Sequence, residues 1–184
     1  MRRMLLTSTG FDNKKFEKMF IEEVGKAPAD IKVLFIPTAA NDPESKEVVP
    51  FCFQDLTGAG LLPENIFTYD LDYVIDKDTV ANYDGIYFCG GSSAHLMEAI
   101  NNANFKDTLL EAVDNGLFFI GVSAGSVICS SSIENSLSVF DNPLKPHCKE
   151  NLTPNGPLPA PGTQINISDN QAVWVHGDIL EVIE

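Results

Sequence analysis

The chain has 184 residues, of which 44% are hydrophobic and 21% are charged, values typical of a globular domain that buries its own core. Because 26 acidic residues outnumber 12 lysines and arginines, the formal net charge of −14 disfavours nucleic acid as a partner. The apolar run at Met4–Leu6 is too short for a signal peptide and no run approaches a membrane span, so we expect one cytoplasmic domain over residues 1–184 with no membrane partner.

Apolar strands and amphipathic helices alternate over the first two thirds of the chain. Strands are predicted at Met4–Ser8, Ile31–Ile36, Ile66–Leu71, Gly85–Cys89 and Leu117–Ile120. Helices are predicted to begin at Asp12 or Asn13, at Asn41–Glu44, near Asp76, at Ser92 or Ser93 and at Asn104. This alternation predicts an α/β fold in which a mostly parallel sheet is sandwiched between helices. Active sites of such folds lie at the carboxyl ends of the strands.

Glycine-containing turns follow two of these strands, at Gly90–Gly91 and at Gly121–Gly125. The second reads Gly-Val-Ser-Ala-Gly between a buried strand and a helix predicted to start at Ser126–Ser130, which is the context of a nucleophile elbow. Such a turn exposes the hydroxyl of Ser123, and the helix start offers unpaired N–H groups to a developing oxyanion. A plain tight turn is the alternative interpretation at both places.

A serine nucleophile needs a base, which is usually histidine, and the chain offers only His95, His147 and His176. His95 lies on a predicted helix, and His176 is accounted for by a predicted hairpin turn. His147 follows Pro146 in a proline-rich segment, residues 141–162, which is predicted to be extended and stiff. The pattern favours His147 as the base, with an ordinary surface-loop histidine as the alternative.

The last part of the chain predicts strands rather than helices. Candidates are Gln164–Ser168, Gln171–Val175 and Ile179–Ile183, with turns at Asp169–Asn170 and His176–Asp178 between them. Their short spacing predicts a terminal antiparallel meander.

No motif in the sequence predicts a metal ion or an organic cofactor. The cysteines, Cys52, Cys89, Cys129 and Cys148, have no metal-binding spacing. The first three lie in apolar surroundings, which predicts reduced residues of the core.

Three segments together resemble the peptidase E family of serine peptidases, to which aspartyl dipeptidases and cyanophycinases belong: Phe88–Ser92, Gly121–Gly125 and Lys145–His147. The resemblance extends from the first strand to the terminal hairpin. It implies a class I glutamine-amidotransferase-like α/β sandwich with a C-terminal antiparallel hairpin.

The resemblance also assigns roles to individual residues. It implies Ser123 as the nucleophile and His147 as the general base, with the backbone N–H groups of Gly91 and Ala124 as the oxyanion hole. The family's third catalytic residue is an acid shortly after the serine, but the aligned segment here, Ser136–Ser138, has no carboxylate.

The nearest acids to that segment are Glu134 and Asp141. We predict Glu134 as the third catalytic residue, with an exposed acid at a helix end as the alternative. The family's dipeptidases prefer an N-terminal aspartate, which requires a cationic pocket. Because the only arginines are Arg2 and Arg3, the sequence does not favour an aspartate preference.

These observations predict a serine peptidase that hydrolyses short peptides as a monomer or homodimer. One alternative is an esterase or amidase that uses the same residues. Another is a catalytically silent binding domain that retains the elbow as a scaffold, and the missing acid favours this alternative.

Overall fold

A computed structural model describes residues 1–184 and contains an eight-stranded sheet and a separate two-stranded one. The strands are β1 (Arg3–Thr7), β2 (Val33–Ile36), β3 (Ile66–Thr68), β4 (Gly85–Phe88), β5 (Phe118–Val122), β6 (Leu144–Lys145), β7 (Gly156–Pro157), β8 (Ile165–Asn166), β9 (Ala172–His176) and β10 (Ile179–Ile183). The helices are α1 (Lys14–Val24), α2 (Pro43–Gly58), α3 (Lys77–Val80), α4 (Ser93–Asn102), α5 (Lys106–Asp114) and α6 (Ala124–Val127).

The strand order of the large sheet is β3-β2-β4-β5-β1-β9-β10-β7. The first five strands in this order run parallel, and β9, β10 and β7 continue the sheet antiparallel. This is the α/β architecture that the sequence predicts. The carboxyl ends of β1, β2, β4 and β5 therefore meet at one edge of the sheet, where the loops that follow them can form a common site.

Two hydrophobic clusters pack on opposite faces of the sheet, because successive side chains of a strand point to opposite sides. In β1, Met4 and Leu6 belong to the cluster that packs against α4 and α5, whereas Leu5 belongs to the one that packs against α1 and α2. The cysteines Cys52, Cys89 and Cys129 are buried and free, as predicted.

Both helices on the second face begin where the sequence predicts a helix start. The Asn13 side chain accepts a hydrogen bond from the backbone N–H of Lys15 at the start of α1. Asp42 and Ser45 form a capping box at the start of α2. The α2 helix continues through Pro50, and its buried residues are Cys52 and Leu56.

The predicted terminal meander is correct for two strands and wrong for the third. The β9 and β10 strands form the antiparallel hairpin, and β9 also pairs antiparallel with β1. By contrast, Gln164–Ser168 contributes β8, which pairs parallel with β6 in the small sheet. Alternation along one strand cannot indicate its partner, and here the partner is a segment of the proline-rich loop. None of the helices combines the length and the apolar character that crossing a bilayer requires.

Candidate active site

Ser123 lies on the turn between β5 and α6 in a strained conformation. Its φ of 48° and ψ of −103° are rarely adopted by a residue with a side chain. A Cβ on Gly121 would lie 2.6 Å from the carbonyl oxygen of Gly125, and a Cβ on Gly125 would lie 2.6 Å from the Cβ of Phe88 on β4. Both outer glycines of the motif are therefore required by close packing of the helix start against the sheet.

Gly125→Ala is expected to lower the free energy of unfolding by about 2 kcal/mol, because the new methyl group overlaps the Phe88 backbone and side chain. Urea denaturation measures this loss. The matched control is Gly58→Ala at the end of α2, where a Cβ would meet no atom within 4 Å. We expect the control to change stability by less than 1 kcal/mol. Equal stability of the two variants would contradict the packing argument.

The imidazole of His147 lies between a hydroxyl and a carboxylate. Its Nε2 is 3.1 Å from Ser123 Oγ, and its Nδ1 is 2.8 Å from Asp169 Oδ1. His147 follows β6, and Asp169 lies in the turn between β8 and β9. The His147 and Asp169 side chains are 49% and 56% exposed, so this arrangement lies at the open edge of the sheet.

Ser8, at the carboxyl end of β1, connects the loops that carry the imidazole and the carboxylate. Its buried hydroxyl accepts a hydrogen bond from the backbone N–H of His147 (3.1 Å) and donates one to the carbonyl oxygen of Ser168 (3.0 Å). The neighbouring Thr9 hydroxyl donates to the carbonyl oxygen of Asp169 at 3.1 Å. The end of β1 thus fixes both loops relative to the sheet.

The carboxylate that contacts the imidazole is that of Asp169 and not that of Glu134, the residue that the sequence predicts. Glu134 lies exposed in a turn after α6, and its side chain makes no hydrogen bond or ion pair. Asp141, the other acid considered, is also exposed, and only its backbone carbonyl accepts a hydrogen bond. Both acids precede His147 in the chain, whereas the acid that contacts the ring follows it by 22 residues.

Two backbone N–H groups beside Ser123 are free to donate. Those of Gly91 and Ala124 make no hydrogen bond within the chain. Gly91 has a φ of 139°, and a Cβ at this position would lie 2.1 Å from the carbonyl oxygen of Ala39. Only glycine therefore lets this loop approach the end of β2 so closely. Gly90 lies against Ser123, since a Cβ on Gly90 would be 3.4 Å from the serine Cβ.

The serine and the imidazole open into a cleft of about 630 Å³. Its walls include the Gly90–Gly91 loop, the end of β1 and one face of α2. No group of three or more His, Cys, Asp or Glu side chains is placed to hold a metal ion.

The other two histidines lie outside this cleft. His95, on α4, lines a different cavity together with Asp70. His176, at the end of β9, stacks on Trp174 and lies 3.8 Å from the carboxylate of Glu23. The three-way contact of Ser123, His147 and Asp169 is therefore the only one in the chain that joins a histidine to both a serine hydroxyl and a carboxylate.

Sequence reasoning missed two residues of this arrangement, Ser8 and Asp169. Asp169 reads as an ordinary turn residue in Asp169–Asn170, and Ser8 as the end of an apolar strand. One signal for Ser8 was available in the sequence. It lies at the carboxyl end of a predicted parallel strand, where active-site residues of such folds are expected.

The sequence profile of peptidase family S51 matches residues 4–153. An uncharacterized peptidase of Listeria monocytogenes is 34% identical over 103 residues, which cover 55% of this chain and 49% of that protein. An uncharacterized peptidase of Listeria innocua is 32% identical over 115 residues, covering 61% and 54% respectively. The matched segment thus spans about half the length of these relatives.

Two crystal structures share the fold. A candidate peptidase E from Listeria monocytogenes superposes with a TM-score of 0.75 at 22% identity, covering 100% of this chain and 98% of that one. A peptidase from an acI-B1 Actinobacterium superposes with a TM-score of 0.72 at 20% identity, covering 100% and 87%. These similarities show that this chain has the same α/β fold as the two peptidases.

Proposed function

The chain belongs to peptidase family S51, and on that premise we propose that it is a serine peptidase that hydrolyses short peptides through Ser123, His147 and Asp169. The observation that carries the proposal is the position of the His147 ring, with one nitrogen at the Ser123 hydroxyl and the other at the Asp169 carboxylate. Nucleophile, base and orienting acid stand in this relation in serine hydrolases.

In the proposed reaction Ser123 Oγ attacks the scissile carbonyl carbon while His147 Nε2 takes the hydroxyl proton. The carboxylate of Asp169 keeps the other ring proton on Nδ1 and stabilises the imidazolium that forms. When the tetrahedral intermediate collapses, His147 gives its proton to the leaving amine and an acyl-enzyme remains. Water, deprotonated by the same imidazole, then releases the acid product and restores the serine.

The negative charge that develops on the substrate oxygen needs donors that are already in place. The free N–H groups of Gly91 and Ala124 are suited to this role, because neither is used within the fold. The strained backbone of Ser123 is typical of the strand-to-helix turn that carries a serine nucleophile, and it supports the proposal.

The size of the cleft supports short peptides as substrates. Its volume of about 630 Å³ falls within the range of sites that bind small ligands, a size that a short peptide matches. A binding domain without activity is less well supported than in the sequence analysis, because the Asp169 carboxylate contacts the His147 ring, whereas the segment aligned with the family's acid has no carboxylate.

We test the proposal by incubating the purified protein with a mixture of dipeptides to pentapeptides and following cleavage by mass spectrometry. We expect hydrolysis of amide bonds in the shorter members, and its loss in His147→Ala. The same preparation is assayed on a p-nitrophenyl ester. Ester hydrolysis without any peptide cleavage would favour the esterase alternative and contradict the peptidase proposal.

A further inference from the structure

The proposed reaction leaves one half-buried acid of the cleft without a role. Asp55, on α2, lines the cleft but is not part of the Ser123, His147 and Asp169 arrangement. Its Oδ2 accepts hydrogen bonds from the backbone N–H of Phe11 (3.0 Å) and from the hydroxyl of Tyr87. Its Oδ1 accepts none.

The fold holds this carboxylate tightly. Tyr87 is fully buried, and burial raises the pKa of its hydroxyl well above the ordinary value, so it remains a donor to Asp55. Gly10 has a φ of 73°, and a Cβ there would lie 2.0 Å from Asp55 Oδ2 and 2.6 Å from the Tyr87 hydroxyl. The loop after β1 therefore needs a glycine where it passes over the carboxylate.

No cation of the chain neutralises Asp55 by direct contact. Burial raises the pKa of Asp55, and the hydrogen bonds from Tyr87 and Phe11 partly offset this effect. The charge of Lys14 slightly lowers the pKa of Asp55, but the Lys14 ammonium lies 2.5 Å from the carboxylate of Glu17. A half-buried carboxylate without a cationic partner is costly, and a cation entering the cleft would relieve that cost.

The other charged residues that line the cleft are also acids. No lysine or arginine lines it, whereas three more acids do: Asp12, Asp42 and Glu44. Hydrogen bonds from the backbone N–H and hydroxyl of Ser45 lower the pKa of Asp42, which keeps that carboxylate charged. Together these groups give the cleft a negative potential that attracts cations and repels anionic substrates.

One face of α2 adds an apolar wall beside the acids. Val48, Phe51, Cys52 and Asp55 follow one another at the spacing of a single helix face, and all line the cleft. Val48 is 43% and Phe51 64% exposed. An aliphatic stem can lie along this wall with its charged end at Asp55, and the Phe51 ring can also contact a cation directly.

Resting on the proposed function, we infer that the cleft selects peptides that carry a cationic group next to an apolar segment, and that Asp55 is the residue that binds this cation. The shared chemistry is an ammonium or guanidinium group. It can be supplied by a lysine or arginine side chain or by the free N-terminus of the substrate. An aspartate side chain is the group that such a cleft excludes.

The test measures binding in a Ser123→Ala background, so that peptides are not consumed. Four tripeptide amides, Ala-Xaa-Ala, carry lysine or norleucine at the centre and a free or acetylated N-terminus. Norleucine keeps the stem of lysine and removes its charge. We expect calorimetric titration to give Kd values at least about tenfold lower for peptides with the recognised cation. Dependence on the central residue identifies a side-chain cation, and dependence on acetylation identifies the N-terminus.

Asp55→Asn, added to the same background, tests the residue itself. The asparagine amide oxygen still accepts from Phe11 and Tyr87, so the fold is retained and only the charge is lost. In this variant we expect the Kd values of the peptides with and without the cation to differ by no more than about twofold. Asp107→Asn, the matched control, makes the same change at an exposed residue in the first turn of α5, outside the cleft, and is expected to keep the preference.

Equal Kd values for all four peptides, no binding of any of them, or a preference that survives Asp55→Asn would overturn the inference. The lysine and norleucine comparison needs no variant at Asp55, so it stands even if that variant fails to fold. If the unmodified protein hydrolysed no peptide, that result would contradict the proposed function and not this inference. Cation-selective binding is measured independently of that result.

Discussion

Ser123→Ala is expected to lower kcat for peptide hydrolysis by about five to six powers of ten. The variant retains the oxyanion donors and the His147–Asp169 pair but has no hydroxyl to attack the carbonyl carbon. KM should change little, because the serine hydroxyl contributes to bond formation rather than to binding. The measurement is the steady-state rate on the best peptide found in the screen, with the enzyme concentration raised to detect residual turnover.

The matched control for this variant is Ser131→Ala. Ser131 is exposed just beyond α6, and its hydroxyl makes no hydrogen bond. We expect its kcat to remain within about twofold of the unmodified protein. If Ser123→Ala kept more than a hundredth of the activity, another nucleophile would be doing the chemistry and the assignment of Ser123 would be wrong.

Asp169→Asn is expected to lower kcat by about a thousandfold. Asparagine is neutral and can turn its amide N–H towards Nδ1. This favours the tautomer with the proton on Nε2, where the ring cannot act as a base, and the imidazolium loses its negatively charged partner. The loss should be smaller than the roughly ten-thousandfold effect typical of a buried acid, because Asp169 is 56% exposed and water replaces part of its contribution.

Glu134→Gln is the control for the acid, since it makes the same carboxylate-to-amide change at the position that the sequence predicted. Its side chain is exposed and does not contact His147, so we expect kcat and KM to be unchanged. A large loss in Glu134→Gln together with normal activity in Asp169→Asn would show that the acid had been assigned to the wrong residue.

The fold was predictable because its signals are local. Each parallel strand is a short apolar run closed by a turn residue, and caps such as Asn13 and Asp42 mark the helix starts that follow. The tight turn that carries Ser123 was predictable for the same reason, because Gly121 and Gly125 satisfy steric requirements within one turn of chain. The pairing of β8 with β6 was not, because no local pattern indicates which segment a two-residue strand will meet.

The acid of the site could not be found by the same reasoning. Its role depends on contacts between segments far apart in sequence, since Ser8 binds the backbone of both His147 and Ser168 and so brings Asp169 to the ring. Sequence distance from Ser123 favoured Glu134, although proximity in the chain does not imply contact in space. Asp55 was missed for a related reason, because only the folded chain brings Gly10 and Tyr87 against it.

The most direct test of the central claim, an activated serine hydroxyl at the end of β5, is labelling with a fluorophosphonate followed by peptide mapping. An alcohol that transfers its proton to a neighbouring imidazole displaces fluoride from phosphorus, whereas ordinary serine hydroxyls react negligibly. We expect one adduct per chain, on Ser123, absent in Ser123→Ala and retained in Ser131→Ala. A folded protein that forms no adduct, or forms it on another residue, would contradict the account.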